Sequence, residues 1–538
     1  MRVDLYFLGD SPVPSTPWAF GNVVLVRPTL EHVAVAMRDA ARADADAALF
    51  WDLALGPAPA DITWLSEHRA EVVHAGLALG TSGSPAILDY IQPTWMWNNE
   101  APPDRESTSW RMTLRACFIR REVIAQLGAI RPEFETLEAA ALELGHRYLR
   151  RGAFVRHDPR LVPANAATVG RADLPLADEL LFARLSYGDF WARWALVKGT
   201  VAGDYNAGEV LRSLHAFDVQ VQAHREPTFE RAEVVVTTPP ARVSVIIPTI
   251  ERYPYLRTLL PQLAAQTVAA HEIFIIDQTP ASDRDASLAA DFPALPLRII
   301  TQDEPGQCTA RNHAIRVSSG DYVLFLDDDD EVQPDLIEKH LYCLTRHRAD
   351  VACGVSEEVG AGPVPENQRF VRASDVLSTN NTMIRRDALR ASGLFDLAFD
   401  RKQCEDFELG LRLYLKGALA VLDPAMTVLH HHAPRGGLRI HGTRVVTRAS
   451  SRARINDRNL PHMSEIYLAM RYFNERQVRE MLSLRLWGTL RGKGSMLQQG
   501  LKAGYGLALL PKTLRAIRAA KRQGEALLRE FPSIEMLG

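Results

Sequence analysis

The sequence predicts an α/β protein made of two tandem copies of one unit, each a mostly parallel sheet flanked by helices, with a helical C-terminal region behind them. Three observations predict this. After Arg242, short apolar strands alternate with helix-length segments, the pattern of a parallel sheet. Residues 119–159 align without gaps on residues 384–424 at a constant offset of 265, with 13 of the 41 positions identical. At 538 residues the chain also exceeds what one ordinary core holds.

The elements follow in order. Residues 237–242, Thr-Thr-Pro-Pro-Ala-Arg, form a boundary, because paired prolines suit a short extended linker. The apolar run 243–247 is a buried strand that leads into Pro248 and Thr249. Leu256, Leu259, Leu260 and Leu263 share one helix face. A second strand, 272–276, ends at Asp277, and a third covers 297–301, followed by a helix over 309–317. The fourth strand, 322–326, runs into Asp327, Asp328, Asp329 and Asp330. Ligands of such sheets bind at the carboxyl ends of the strands, so Thr249, Asp277 and the aspartates are expected in one crevice. Gln333, Pro334 and Asp335 open a further helix, and Leu409, Leu411 and Leu413 mark another that starts at Glu405 and Asp406.

The resulting division is 1–165, a degenerate copy; 166–240, a helical region and linker; 241–440, the catalytic copy; and 441–538, helical. In the repeat, Ile119-Arg120-Arg121 matches Ile384-Arg385-Arg386, Glu143-Leu144-Gly145 matches Glu408-Leu409-Gly410, and Arg147 matches Arg412. At a slightly different offset, Leu49-Phe50-Trp51-Asp52 resembles Leu324-Phe325-Leu326-Asp327. The copies differ where chemistry is expected. Asp52-Leu53-Ala54-Leu55 stands opposite the four aspartates, and Ala140-Ala141 opposite Glu405-Asp406.

Composition narrows the function. A formal net charge of -3 with dispersed basic residues is not the footprint of a nucleic-acid binder. Five cysteines without CxxC spacing read as reduced thiols, not as a disulfide frame or a zinc site. The first ten residues lack a secretory signal, and no apolar run approaches the roughly 18 residues of a spanning helix. A cytoplasmic location is expected. Residues 501–510 are mostly apolar and are followed by Lys512, Arg515, Arg518, Lys521 and Arg522. This C-terminal basic helix either packs on the enzyme with a solvated face or touches the anionic inner face of the cell membrane peripherally. The helical stretch from 463 onward packs on the catalytic part or serves as a homodimer surface.

Carboxylates crowded at a strand end raise one another's pKa unless a cation neutralises them, and hard oxygen ligands suit Mg²⁺ or Mn²⁺. The alternative is an acidic helix N-terminus. In order along the chain come Pro248-Thr249, Asp277, Gly306 with Ala310-Arg311-Asn312, the aspartate run, and Glu405-Asp406 backed by Leu409, Arg412 and Gly417. Together they resemble the inverting family 2 glycosyltransferases of GT-A fold, over about 190 residues of the second half.

The resemblance implies a nucleotide-sugar donor, usually UDP-linked, and a glycan or glycoconjugate acceptor, as in bacterial polysaccharide assembly. Pro248, Thr249 and Glu251 would contact the nucleotide, and Asp277 would accept a hydrogen bond from the base. Arg311 would sit near the base or diphosphate. Asp327 to Asp329 would form the DxD-type element, with Asp328 near the ribose and Asp327 and Asp329 at the metal. Glu405 would join the donor site and Asp406 would act as general base. Family members often add a histidine to the metal shell, which leaves His430, His431 and His432 all open, with His430 taken as the candidate ligand; His430 and His432 share a face if this stretch is extended. The arginines of residues 435–458 form either a lid over the diphosphate or a solvated basic loop. No QxxRW motif is present, which favours non-processive transfer.

Two rival readings stand beside this one. A sugar nucleotidyltransferase would want a Gly-rich loop after the first strand, where Pro248-Thr249-Ile250-Glu251-Arg252 stands. A catalytically dead scaffold fits the first copy, which lacks the carboxylates, but not the second. The first copy is expected to orient the acceptor or to mediate dimerisation.

Overall fold

The computed structural model describes residues 1–10, 20–162, 173–220, 227–360, 362–433, 454–492 and 494–538. Seven strands of the first half form one sheet: β1 (Val3–Leu8), β2 (Val23–Val26), β3 (Ala47–Asp52), β4 (Val72–His74), β5 (Ser107–Thr108), β6 (Ala116–Arg120) and β7 (Val155–His157). Their order is β2-β1-β3-β6-β4-β7-β5. Nine strands form the second sheet: β8 (Val243–Thr249), β9 (Glu272–Asp277), β10 (Leu297–Thr301), β11 (Tyr322–Leu326), β12 (Asp330–Val332), β13 (Val351–Glu358), β14 (Arg372–Ala373), β15 (Asn381–Arg385) and β16 (Ala420–His430). Its path is β10-β9-β8-β11-β15-β13-β16-β12, with β14 also paired to β16.

Both sheets follow one pairing scheme. Strand β3 lies parallel to β1 and antiparallel to β6, as β11 lies parallel to β8 and antiparallel to β15. Ile119 faces Ala48, and Ile384 faces Val323, so β3 corresponds to β11 at an offset of 275 and Asp52 takes the place of Asp327. The repeated identities have a structural cause. Arg147 pairs with Glu143 one helical turn away and donates to the Leu127 carbonyl, while Arg412 pairs with Glu408 and donates to the Ser392 carbonyl. These side chains are all buried, and each arginine ties its helix to the end of the preceding one.

Strands β10 and β11 have the expected bounds, while β8 and β9 run on to Thr249 and Asp277. The helix expected from Gln333 starts at Leu336 instead. Asp330–Val332 is a strand paired antiparallel to the end of β16, with Asp330 opposite His430. The aspartate run is therefore a turn between two strands and not a helix N-terminus. Strand β16 runs on through Pro424, because Pro424 falls where the pairing with β13 shifts register, a place that tolerates a missing N–H.

Helices Leu176–Tyr187, Asp189–Ala202 and Ala207–Ser213 connect the halves, and residues 227–242 carry no helix or strand. The last helices, Met463–Tyr472, Glu475–Leu490, Met496–Ala508 and Leu510–Glu530, pack in part on the second sheet's layer. Tyr467 donates to Asp396, and the Leu394 N–H to the Glu535 carbonyl. Among the described residues no helix is long and apolar enough to cross a membrane. Most of the arginine-rich stretch 435–458 lies outside the described residues.

The halves meet through equivalent parts. A Cβ on Gly417 would stand 2.3 Å from the Glu106 carbonyl oxygen, and one on its counterpart Gly152 would stand 2.9 Å from that of Val371. Val371 is itself Glu106 displaced by 265, so each contact is the image of the other. Such reciprocity marks an interface of two-fold type inside one chain.

Candidate active site

Turns at the carboxyl ends of β8 and β11 build a cleft of about 380 Å³. Pro248, Thr249, Arg311, Asp327, Asp328, Asp329, Glu405, Asp406 and His430 all line it. Two expected site residues do not. Glu251 is exposed, with φ of +56°, and its N–H donates to Thr279 Oγ1. Asp277 is buried beside the cleft, accepting from the Tyr253 hydroxyl at 2.6 Å and the Thr279 N–H at 3.0 Å.

The aspartates divide by partner. Thr249 Oγ1 donates to Asp328 Oδ2 at 2.7 Å, and Arg252 Nη1 to Asp328 Oδ1 at 2.9 Å. Burial pushes the Asp328 carboxyl up to about 7 against the pull of Arg252 and Thr249. Asp330 turns away toward His430 Nδ1 at 2.9 Å and is also lifted to about 7 by burial, against the His430 hydrogen bond. Burial works against charge on His430, yet Asp330, Asp327 and Asp329 outweigh it and raise the imidazole to about 9.

One ligand atom each from Asp327, Asp329 and His430 lie within 4.8 Å of one another. Asp329 Oδ1 is buried without a hydrogen-bond partner; Arg252 Nη1 stands 3.3 Å from it and His430 Nδ1 3.7 Å. An orphaned carboxylate oxygen beside a second carboxylate and an imidazole fits Mn²⁺ or Mg²⁺, the imidazole favouring Mn²⁺. Of the other histidines, His432 packs its ring on His430 at 4.3 Å and lines the cleft, whereas His431 pairs with Glu331 outside the lining.

Opposite the aspartates, Glu405 and Asp406 occupy the first turn of the helix Glu405–Leu415, where the helix dipole favours carboxylates. Cys404, just before it, holds φ of +78°, a conformation costly for a side-chain-bearing residue. Burial and the Asp406 charge push Glu405 up to about 7; burial also raises Asp406, while Arg311 pulls both back. Arg311 spans the two groups, with Nη2 3.2 Å from Asp327 and Nη1 3.6 Å from Glu405. Its Nε and Nη1 are buried without hydrogen-bond partners, so the cleft holds donors suited to an anion.

The residues around Arg311 have structural work. A side chain at Gly306 would collide with Asp400, whose carboxylate accepts from the Cys308 and Thr309 N–H groups and caps the helix carrying Arg311. Asn312 exchanges hydrogen bonds with the Phe395 backbone at 2.8 Å. Sequence reasoning missed Arg252, Gln278, Ser356, Ser378 and Asn380, which also line the cleft. The one available signal was the repeat: Asn380 aligns with Arg115. In the first copy Arg115 pairs with Asp52 at 2.6 Å, whereas in the second Asn380 donates to Asp330 at 3.3 Å.

Residues 244–395 match the family model Glycosyl transferase family 2. The match ends before Glu405, Asp406 and His430. The uncharacterized glycosyltransferase YwdF of Bacillus subtilis is 34% identical over 99 residues, 18% of this chain and 36% of that protein. The O-antigen biosynthesis protein RfbC of Myxococcus xanthus is 28% identical over 348 residues, 58% of this chain and 25% of its own. The chain thus spans only about a quarter to a third of these curated relatives. A solved structure of the mannosyltransferase PcManGT from Pyrobaculum calidifontis overlays 55% of this chain and 89% of its own at 16% identity and a TM-score of 0.36, too loose to bear on ligand or mechanism.

Proposed function

We propose, from a chain whose residues 244–395 belong to glycosyl transferase family 2, that it moves a sugar from a nucleoside diphosphate sugar to a hydroxyl of a glycan or glycoconjugate, with inversion and without processivity. The observation that carries this reading is a single cleft in which the Asp327–Asp329 turn and His430 face Glu405, Asp406 and Arg311.

The roles follow from the chemistry. Asp406 takes the proton of the acceptor hydroxyl as the anomeric carbon is attacked; burial supports this by making its carboxylate a better base. Arg311, with unmet N–H groups, binds the diphosphate or base and holds Glu405 in the donor site. Pro248 and Thr249 line the nucleotide side, with Glu251 and Asp277 beside it. UDP is the expected nucleotide. Asp327, Asp329 and His430 would hold Mn²⁺ or Mg²⁺, which when bound offsets charge on the leaving diphosphate. Exposed Lys512, Arg515 and Arg518 support peripheral contact with an anionic membrane that presents the acceptor.

Nucleoside diphosphate release from a panel of nucleotide sugars, with Mn²⁺ or with EDTA, tests the reading. Metal-dependent release is expected, falling by roughly 10²- to 10⁴-fold in Asp406→Asn with donor binding retained. A wild type that binds no nucleotide sugar under any metal condition would leave the scaffold reading in its place.

A further inference from the structure

A second cavity, of about 610 Å³, opens where the two copies meet. The first copy contributes Trp95 and Arg150 to its lining, the connecting helices Tyr187, and the second copy Phe370, Arg372 and Asp375. Its size is that of a small-molecule or oligosaccharide site. Around Glu408 and Arg412, the counterparts of the lining residues Glu143 and Arg147, Tyr472 packs in and donates to Glu408. The copies are equivalent there in sequence, yet the space on the first copy's side stays open.

The lining is built for acceptor atoms and negative charge. Arg372 Nη2 and Trp97 Nε1, on two lining residues that are almost wholly buried, have no hydrogen-bond partner. Unmet buried donors are costly, and a small side-chain shift that opened either of them to the cavity would let a ligand oxygen relieve it. Arg147, Arg151 and Arg372 each face a carboxylate, from Glu143, Glu366 and Asp375. Among the described residues Arg150 has no such partner; it reaches the Ser186 carbonyl at 3.3 Å and stands 5.7 Å over the Tyr187 ring. His146 adds no charge, because burial pulls its pKa well below the ordinary value. One surplus cation, unmet donors and the rings of Trp95, Tyr187 and Phe370 together match a sugar chain carrying an acid group.

The cavity is also linked to the cleft. Trp95 Nε1 donates to Asp375 at 2.9 Å, so the first copy holds a loop of the second. Ser378, Thr379 and Asn380 of the same loop line the catalytic cleft. Ser378 comes three residues after Asp375, a span of about 10 Å at most. We infer that the junction cavity binds an acidic segment of the acceptor saccharide, placing the growing end at the cleft. This rests on the transfer reading above.

The test is tryptophan fluorescence of the full chain, titrated with a galacturonic acid hexamer and, separately, with neutral maltohexaose; nucleotide-sugar binding is measured on the same samples. A saturable change is expected with the acidic hexamer, roughly tenfold weaker in Arg150→Glu and in Trp95→Ala, with nucleotide-sugar affinity unchanged. No saturable change with either hexamer overturns the site. Equal binding of both, or binding that neither substitution alters, overturns the acidic assignment or the location. A wild type that binds the hexamer but no nucleotide sugar would instead defeat the transfer reading and leave the cavity as a saccharide site.

Discussion

Single carboxyls set how the cleft responds to pH. A general base must be ionised, and Glu405 and Asp406 share burial that keeps their protons on to higher pH than usual. Diphosphate release is therefore expected to rise with pH along a limb that lies above the ordinary aspartate range. Arg311 holds both carboxyls down, so Arg311→Met should move the rising limb to higher pH as well as weaken donor binding; an unmoved limb would count against the pair as the titrating group. Stability has the opposite sign. Near pH 5 to 7 the folded chain keeps protons that unfolded carboxyls have lost, so stability falls as pH rises from the ordinary glutamate range through about 7. Glu405→Gln should flatten that part of the thermal-melting profile, read without added metal. Arg252 was hidden in the sequence because nothing in Ile250-Glu251-Arg252 shows that its guanidinium reaches Asp328, 76 residues away.

Helices and strands hold these side chains through contacts that the repeat exposes. Arg412 pairs with Glu408 in full burial and anchors the helix that begins with Glu405 and Asp406 to the Ser392 carbonyl. Removing one partner of such a pair strands the other, so Arg412→Ala should cost about 3–5 kcal/mol. Replacing both partners by apolar residues should cost less. Thermal unfolding of the two variants distinguishes the cases, and Arg147→Ala should destabilise the first copy in the same way. The turn at Asp327 depends on β12 pairing with β16, which sets Asp330 against His430. A helix prediction from Gln333, Pro334 and Asp335 weighs local propensity alone, and a strand partner 100 residues away overrides it.

The whole chain behaves as two copies that complete one another. Arg156, fully buried, donates to the Gly417 carbonyl, Tyr414 to that of Asn99, and Arg69 pairs with Asp350. Residues 241–538 expressed alone would leave these groups unpaired or exposed, and are expected to melt at a lower temperature than the full chain. An unchanged midpoint would show that the junction contributes nothing to stability. Gly417→Ala should also be harmful, because the new Cβ meets the Glu106 carbonyl and the residue holds φ of +86°.

Two kinds of information separate at this point. Apolar periodicity and strand-end residues are local, so β8 to β11, the helix starting at Glu405 and the tandem repeat were legible from residue order alone. The aspartate run stood out as crowded carboxylates at a strand end, whereas Arg311 and Asp406 were singled out only through the resemblance to family 2 glycosyltransferases, because charged residues at a helix start are ordinarily just solvated. Contacts between distant segments were not legible, since no pattern in either segment encodes its partner. The neutralisation of Asp52 by Arg115, the approach of Arg252 to Asp328, the partnership of Trp95 with Asp375 and the open cavity at the junction all join segments more than 60 residues apart. They exist because strand pairing within each sheet, and the packing of the two copies on each other, bring those side chains within hydrogen-bond reach, and burial then decides which of them find partners.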